Sequence, residues 1–228
     1  MAAKPTSLLC DFDGTVTAVD TGVLILDRFT KGDWRTLDKL YDLGHATVEE
    51  VLSREFAMVR AERGAILNAI DGKVPLRRGF TQLVKFCTRV GIPLTIVSYG
   101  LDFCIERILG RAGLRGQVEL CSPRSKVTPE GIVFTYPKRL ASGSVNMKDD
   151  LLLGYRESGY RVVFVGDGAS DLPAARKADE CFVIRGSKLE ELCRREGVGC
   201  TSVLSFDTVQ RALRKEQRAG DDRYPGLP

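Results

Sequence analysis

Asp11-Phe12-Asp13-Gly14-Thr15, preceded by the apolar run Leu8-Leu9-Cys10, decides how the rest of the chain is read. A short apolar run closed by a glycine turn predicts a buried strand. Strand side chains alternate in direction, so acids at i and i+2 share a side. The turn would then carry Asp11 and Asp13 out of the sheet into one cleft. Carboxylates held that close repel, and a divalent cation is the simplest remedy. Paired acids with a metal at the C-terminal end of a strand point to phosphoryl chemistry. Taken alone, the two acids can also be read as turn caps.

Two further stretches have the same construction, and a lysine at a predicted helix start joins them. Arg161-Val162-Val163-Phe164-Val165 is an apolar run that ends in Gly166-Asp167-Gly168-Ala169-Ser170-Asp171. In open α/β sheets ligand sites form outside the carboxyl ends of the strands, so this cluster can meet the first although about 150 residues separate them. Leu172-Pro173 follows Asp171, which leaves a helix N-cap as a second role for that acid. Pro93-Leu94-Thr95-Ile96-Val97 leads into Ser98-Tyr99-Gly100. A hydroxyl and the amides of a glycine turn at a helix start suit a phosphate, although Ser98 could simply cap that helix. Lys148 opens a predicted helix and offers a point charge to phosphate oxygens. Its neighbours Asp149 and Asp150 leave open a solvated position.

Composition narrows the class. A chain of 228 residues, 43% hydrophobic and 28% charged, can bury a full core as one domain with an insertion or as two small ones. The 34 basic and 30 acidic residues leave a net charge of only +4 and no aromatic-interleaved basic patch, so no nucleic-acid partner is expected. The seven cysteines are odd in number, form no CxxC pair and sit partly in apolar runs. That usage implies a reducing compartment, the cytoplasm, rather than a disulfide framework or zinc cluster. The first residues lead into only a short strand, which predicts no signal peptide. No apolar stretch reaches the length of a membrane span, so no membrane partner is expected. The oligomeric state leaves no trace in the sequence.

Periodicity divides the chain. Residues 15–74 read as helices over 22–30, 33–42, 47–62 and 63–70, the third opening on a Thr47-Val48-Glu49-Glu50 capping box. From Gly79 onward strands and helices alternate. The expected fold class is therefore α/β: a Rossmann-like, mainly parallel sheet with helices on both faces, built from 1–14 and 75–228. A small helical cap, 15–74, is inserted after the first strand. A hairpin is expected between 117–121 and 131–136, and a frayed tail from 218.

The four stretches, in this order, resemble the haloacid dehalogenase superfamily of phosphohydrolases. Its motifs are DxDGT, a Ser or Thr after a second strand, a Lys, and GDxxxD. Together they span Asp11 to Asp171. The resemblance implies that Asp11 is the nucleophile and Asp13 the general acid and base. It implies Mg2+ between Asp11, the backbone carbonyl of Asp13 and Asp167, with Asp171 orienting metal-bound water or Lys148. Ser98, Lys148 and the amides of Phe12, Asp13, Tyr99 and Gly100 would hold the phosphoryl group.

The inserted helices occupy the lid position of the phosphoserine phosphatase-like branch. Within it the chain is most similar to the methionine-salvage phosphatases of 2-hydroxy-3-keto-5-methylthiopentenyl-1-phosphate. Those share a Thr-rich continuation, here through Thr17, and an acid nine residues after the nucleophile, here Asp20. Their S-G-G-M-D-F-F reads here Ser98-Tyr99-Gly100-Leu101-Asp102-Phe103-Cys104, and their D-x-x-A-A-K reads Asp171-Leu172-Pro173-Ala174-Ala175-Arg176. Two features depart: Tyr99 stands where that family has glycine, and 136–144 lack its cysteines. The implied partner is a small phosphorylated metabolite. Phosphoserine, a phosphotransfer or phosphomutase reaction, and a non-catalytic phosphate-binding module are the alternatives. Asp20 and Arg54 are the cap candidates for substrate contact. Arg54 lies near the lid arginine of phosphoserine phosphatases, but Glu55 competes for that place and a solvated helix face is its other reading. The lone histidine, His45, reads as a surface residue.

Overall fold

The computed structural model describes residues 4–221. In chain order its elements are β1 (Thr6–Cys10), α1 (Thr21–Phe29), α2 (Arg35–Asp42), α3 (Val48–Phe56), α4 (Arg63–Ile70), α5 (Phe80–Val90), β2 (Leu94–Val97) and α6 (Asp102–Arg111). There follow β3 (Glu119–Cys121), β4 (Arg124–Thr128), β5 (Gly131–Thr135), α7 (Met147–Glu157), β6 (Arg161–Gly166), α8 (Leu172–Lys177), β7 (Glu180–Ile184), α9 (Lys188–Glu196), β8 (Thr201–Val203) and α10 (Phe206–Asp221).

Alternation along the strands builds two layers of core. Leu8, Cys10, Ile96, Val163, Val165 and Phe182 pack with Phe80 and Leu83 of α5, Ile105 of α6 and Phe206 and Val209 of α10. Leu9, Val97, Val162, Phe164 and Val183 pack on the opposite side with Leu152 of α7, Ala174 of α8 and Leu189 of α9. Each such fully buried Leu, Val or Phe contributes about 1.5–3 kcal/mol. Because both faces are covered, the strands read as continuous apolar runs, as parallel strands do. The sheet is parallel throughout, in the order β3-β2-β1-β6-β7-β8. This is the Rossmann-like architecture expected from the sequence.

The order places a switch point at β1. The chain first adds strands on one side of it, β2 and β3, and then returns to add β6, β7 and β8 on the other. Crevices at such points open outside the carboxyl ends of the strands. The loops after β1, β2 and β6 therefore converge, and all four motifs lie on or beside them.

Helices α1–α4 occupy the segment between β1 and α5. The chain enters and leaves that segment side by side: Thr17 bridges Leu76, the Ala18 amide bonds the Pro75 carbonyl, and the Arg77 amide bonds the Val16 carbonyl. Asp20 caps α1 through the Val23 amide, and Thr47 with Glu50 forms the expected capping box on α3.

The structure corrects two boundaries and one pairing. The third helix ends at Phe56 rather than 62, because Val59 turns away to bridge Thr30. Residues 119–121 do not form a hairpin with 131–135. They extend the parallel sheet beside β2, and the antiparallel partner of β5 is β4. This hairpin packs on α3 through an edge-on contact of Phe134 with Phe56, ring centroids 5.3 Å apart. Helix α10 runs to Asp221, so the frayed tail expected from 218 begins inside it and for 222–228 lies outside the described residues. Among the described residues no helix is long and apolar enough to cross a membrane.

Candidate active site

Asp11 leaves the end of β1 with its amide bonded to the Val165 carbonyl of β6, 2.9 Å. It is almost wholly buried. Lys148, in the first turn of α7, is 3% exposed and so cannot be a solvated helix residue. Its ammonium lies 2.6 Å from Asp11 Oδ1 and 2.6 Å from Asp171 Oδ1. The other oxygen of Asp171 accepts the amides of Asp167 and Gly168 at 2.9 and 2.8 Å. Asp171 therefore turns back onto its own loop and Lys148, and its side chain makes no capping bond to α8.

Asp167 accepts the Thr15 hydroxyl at 2.6 Å. Gly14 between them has a positive φ of 76°, and a Cβ there would overlap the Asp167 carboxylate. Only glycine lets the loop after β1 come this close. Arg77 fixes that loop from outside, its guanidinium bonding the Gly14 and Thr15 carbonyls. Asp13 Oδ1 is held by both the amide and the hydroxyl of Thr21, at the start of α1. The Ser98 hydroxyl accepts the Gly100 amide at 3.0 Å, so it organises its own turn instead of capping α6.

These groups meet at a cleft of about 180 Å³. Asp11, Asp13, Asp20, Ser98, Tyr99, Gly100, Lys148 and Asp167 all line it, with Asp171 buried behind Lys148. The facing wall is apolar: Val48, Leu52 and Phe56, spaced four residues apart on α3, with Gly22 of α1 beside them. Arg54 is absent from this wall and lies exposed. The helical repeat explains it, since two residues from either Leu52 or Phe56 is about 200° around the helix. Of the expected site residues, Arg54 is the one that the structure does not bring to the cleft. His45 is exposed. Nothing in the sequence singled out Thr21, Arg77 or the α3 wall, whereas Thr15 was marked as the last letter of the first motif.

Burial dominates the electrostatics. It pushes the carboxyl of Asp11 up to about 7, with Asp167 adding to the rise and Lys148 opposing it. It raises Asp13 to about 8, helped by Asp20 and opposed by the Thr21 bonds. Asp171 rises to about 6 and Asp167 moves the same way. Burial works against the charge on Lys148, but Asp11 and Asp171 more than offset it and hold the ammonium above the ordinary lysine value. One cation thus faces a surplus of buried carboxylate. Oxygens of Asp11, Asp167 and Asp171 lie within 4.8 Å of one another. With Lys148 shared between Asp11 and Asp171, the carboxylate oxygens of Asp11 and Asp167 are hard donors that fit a divalent cation of the magnesium class, and Asp171 stands behind them.

Comparison with known proteins agrees with this geometry. Residues 8–176 match the family model of haloacid dehalogenase-like hydrolases. The 2-hydroxy-3-keto-5-methylthiopentenyl-1-phosphate phosphatase of Geobacillus thermodenitrificans is 32% identical over 220 residues, covering 93% of this chain and 98% of that protein. The protein of the same name from Brevibacillus brevis is 28% identical over 221 residues, covering 95% and 98%. Among solved structures, a phospho-aspartyl intermediate analogue of phosphoserine phosphatase superposes with a TM-score of 0.69 over 92% of this chain and 99% of that one. At 18% identity that likeness speaks for the fold alone. With the four motifs brought to one cleft and the family model matched across all of them, the chain belongs to the haloacid dehalogenase-like hydrolases, and within them to the phosphatases.

Proposed function

We propose that the protein hydrolyses the phosphomonoester of a small, uncharged and partly apolar metabolite through an aspartyl-phosphate on Asp11. The observation that carries this reading is the buried Asp11–Lys148–Asp171 chain at the floor of a cleft whose opposite wall is apolar.

In the first step a carboxylate oxygen of Asp11 bonds to phosphorus and the ester P–O bond breaks. Asp13 supplies the proton to the leaving oxygen. Its raised carboxyl suits that role, because it keeps a proton near neutral pH. Thr21 occupies Oδ1, which leaves Oδ2 to carry the proton. In the second step Asp13 takes a proton from water, the water oxygen bonds to phosphorus, and Asp11 is released. Lys148, the Ser98 hydroxyl and the amides of the Tyr99-Gly100 turn hold the phosphoryl oxygens, while Asp171 fixes the ammonium. Asp11, Asp167 and the Asp13 carbonyl would hold magnesium, which when bound neutralises charge on those oxygens.

Residues 15–74 act as the cap over a core of 1–14 and 75–228, and the leaving group sits against α3. The methionine-salvage enol phosphate named for the relatives is the preferred substrate. Phosphoserine is the second reading, the substrate named for solved structures that share the fold. Its carboxylate asks for a cation, and among the described residues lining the cleft Lys148 is the only one, already shared by two acids. Asp20 and the α3 wall would set this preference. A reducing cytoplasm suits the seven free cysteines.

The test is Asp11→Asn assayed by phosphate release from an aryl phosphate and from a panel of metabolite phosphates. The amide keeps the shape but cannot form the acyl phosphate, so a loss of at least about a thousandfold is expected. Retained turnover would remove Asp11 as nucleophile. Preference for phosphoserine over neutral alcohol phosphates would reverse the substrate assignment.

A further inference from the structure

Tyr99 departs from the glycine of the resembling family, and the structure shows what its side chain does. The phenol is buried and donates to Glu49 Oε1 on α3 at 2.7 Å. The phenol oxygen in turn accepts the amide of Met147 at 3.0 Å. Met147 is the first residue of α7, so its amide is one of the helix's unpaired donors. Asn146 satisfies the Asp149 amide of that turn, and Tyr99 satisfies this one. The next residue is Lys148, whose ammonium lies 5.8 Å from the centre of the Tyr99 ring. One side chain thus joins three segments: the turn of Ser98 and Gly100, the helix start that carries Lys148, and the helix that walls the cleft.

The α3 end of this tie is itself secured. Tyr136, just beyond β5, donates to the Glu49 carbonyl at 3.0 Å and shares a hydrogen bond with Ser53, 3.1 Å. Glu49 is therefore gripped by its carboxylate and by its backbone from two different loops.

We infer that Tyr99 is a positioning residue that couples the seating of α3 over the cleft to the placement of Lys148. The inference rests on the phosphatase reading above. With α3 seated, Glu49 orients the phenol, and the phenol holds the Met147 amide and with it the first turn of α7. With α3 displaced, the phenol loses its acceptor and the turn bearing Lys148 loses a fixed partner. Substrate capture by the wall and presentation of the ammonium would then be one event.

The coupling makes the two ends of the tie distinguishable. Tyr99→Phe breaks both bonds. It should lower kcat about tenfold on an aryl phosphate as well as on the best metabolite phosphate of the panel, the scale of one buried hydrogen bond. Glu49→Ala breaks only the α3 end. It should raise KM for the metabolite and also lower kcat on both substrates about threefold, less than Tyr99→Phe does, because the phenol that still holds the Met147 amide has lost its own acceptor. Glu49→Gln keeps an acceptor and should restore wild-type kinetics. The double variant Tyr99→Phe/Glu49→Ala should resemble Tyr99→Phe alone, since residues in one network are non-additive.

Hydrogen exchange over 48–56 should accelerate in Tyr99→Phe and in Glu49→Ala but not in Glu49→Gln. Additive effects, an unaltered kcat in Tyr99→Phe, or a drop in Tm without any kinetic change would overturn the coupling. Wild-type protein without phosphatase activity on any substrate would instead remove the underlying reading.

Discussion

Glu55 shows what a single residue can carry outside the catalytic set. It is 1% exposed on α3, and its Oε1 finds no hydrogen-bond partner among the described residues. Burial first, then Asp38 of α2 beside it and more weakly Asp20, push its carboxyl from about 4.5 to about 8. Between those values the folded chain keeps a proton that the unfolded chain has released. The contribution of this group is therefore complete below the lower value and lost as pH rises through the upper one. Thermal unfolding should show Tm falling between about pH 5 and pH 8 more steeply in the wild type than in Glu55→Gln. Parallel curves would clear Glu55 of the effect. The residue also marks the limit of reading by alignment of motifs. The sequence left Arg54 and Glu55 competing for one place, and only the phase of α3, set by packing of Phe56 on Phe134, decides which is turned inward.

At the scale of elements, strands rich in apolar residues declared themselves and polar or short ones did not. β1, β2, β6 and β7 are runs of buried Leu, Val, Ile and Phe, and their positions follow from composition alone. β4 reads Arg-Ser-Lys-Val-Thr and β8 has three residues, so neither carries a pattern that distinguishes it from loop. The hairpin was expected between 117–121 and 131–136, which places β5 but not its partner β4, because pairing partners are a property of the folded sheet.

That hairpin depends on Gly131. Its φ is +134°, and a Cβ would lie 2.7 Å from the Ala57 carbonyl carbon at the end of α3. Gly131→Ala should destabilise the protein by about 1–3 kcal/mol, the cost of a backbone held where side chains are rarely tolerated. Urea denaturation should report it as a lower midpoint at unchanged slope. A midpoint equal to the wild type would mean that the hairpin does not rest on α3 as described.

For the whole molecule, the acid cluster links stability to metal. Asp11, Asp167 and Asp171 come from segments that only the folded sheet brings together, so a divalent cation held there as proposed would bind the native state in preference to the unfolded one. Magnesium at about a hundred times its dissociation constant should stabilise the protein by about 2.7 kcal/mol. The shift in Tm should vanish in excess chelator and shrink in Asp167→Asn. A Tm indifferent to magnesium would remove the cluster as a cation site. The cluster was legible in outline, as three motifs at strand ends and a lysine at a helix start. Its supports, Thr21 on Asp13 and Arg77 on the Gly14 and Thr15 carbonyls, were not, because nothing local marks a long-range hydrogen bond.

The switch point at β1 has a consequence during synthesis. Cys10 pairs with Ile96 on one side and Val165 on the other, and Asp11 waits for Lys148. At roughly 5–20 residues per second, the nascent chain spends on the order of ten to thirty seconds with an apolar strand that has no second neighbour. An unpaired strand edge is a template for other chains. Crowded expression at high temperature therefore endangers this protein before its last third emerges, and slower accumulation should raise the soluble yield more than any added stability of the finished fold.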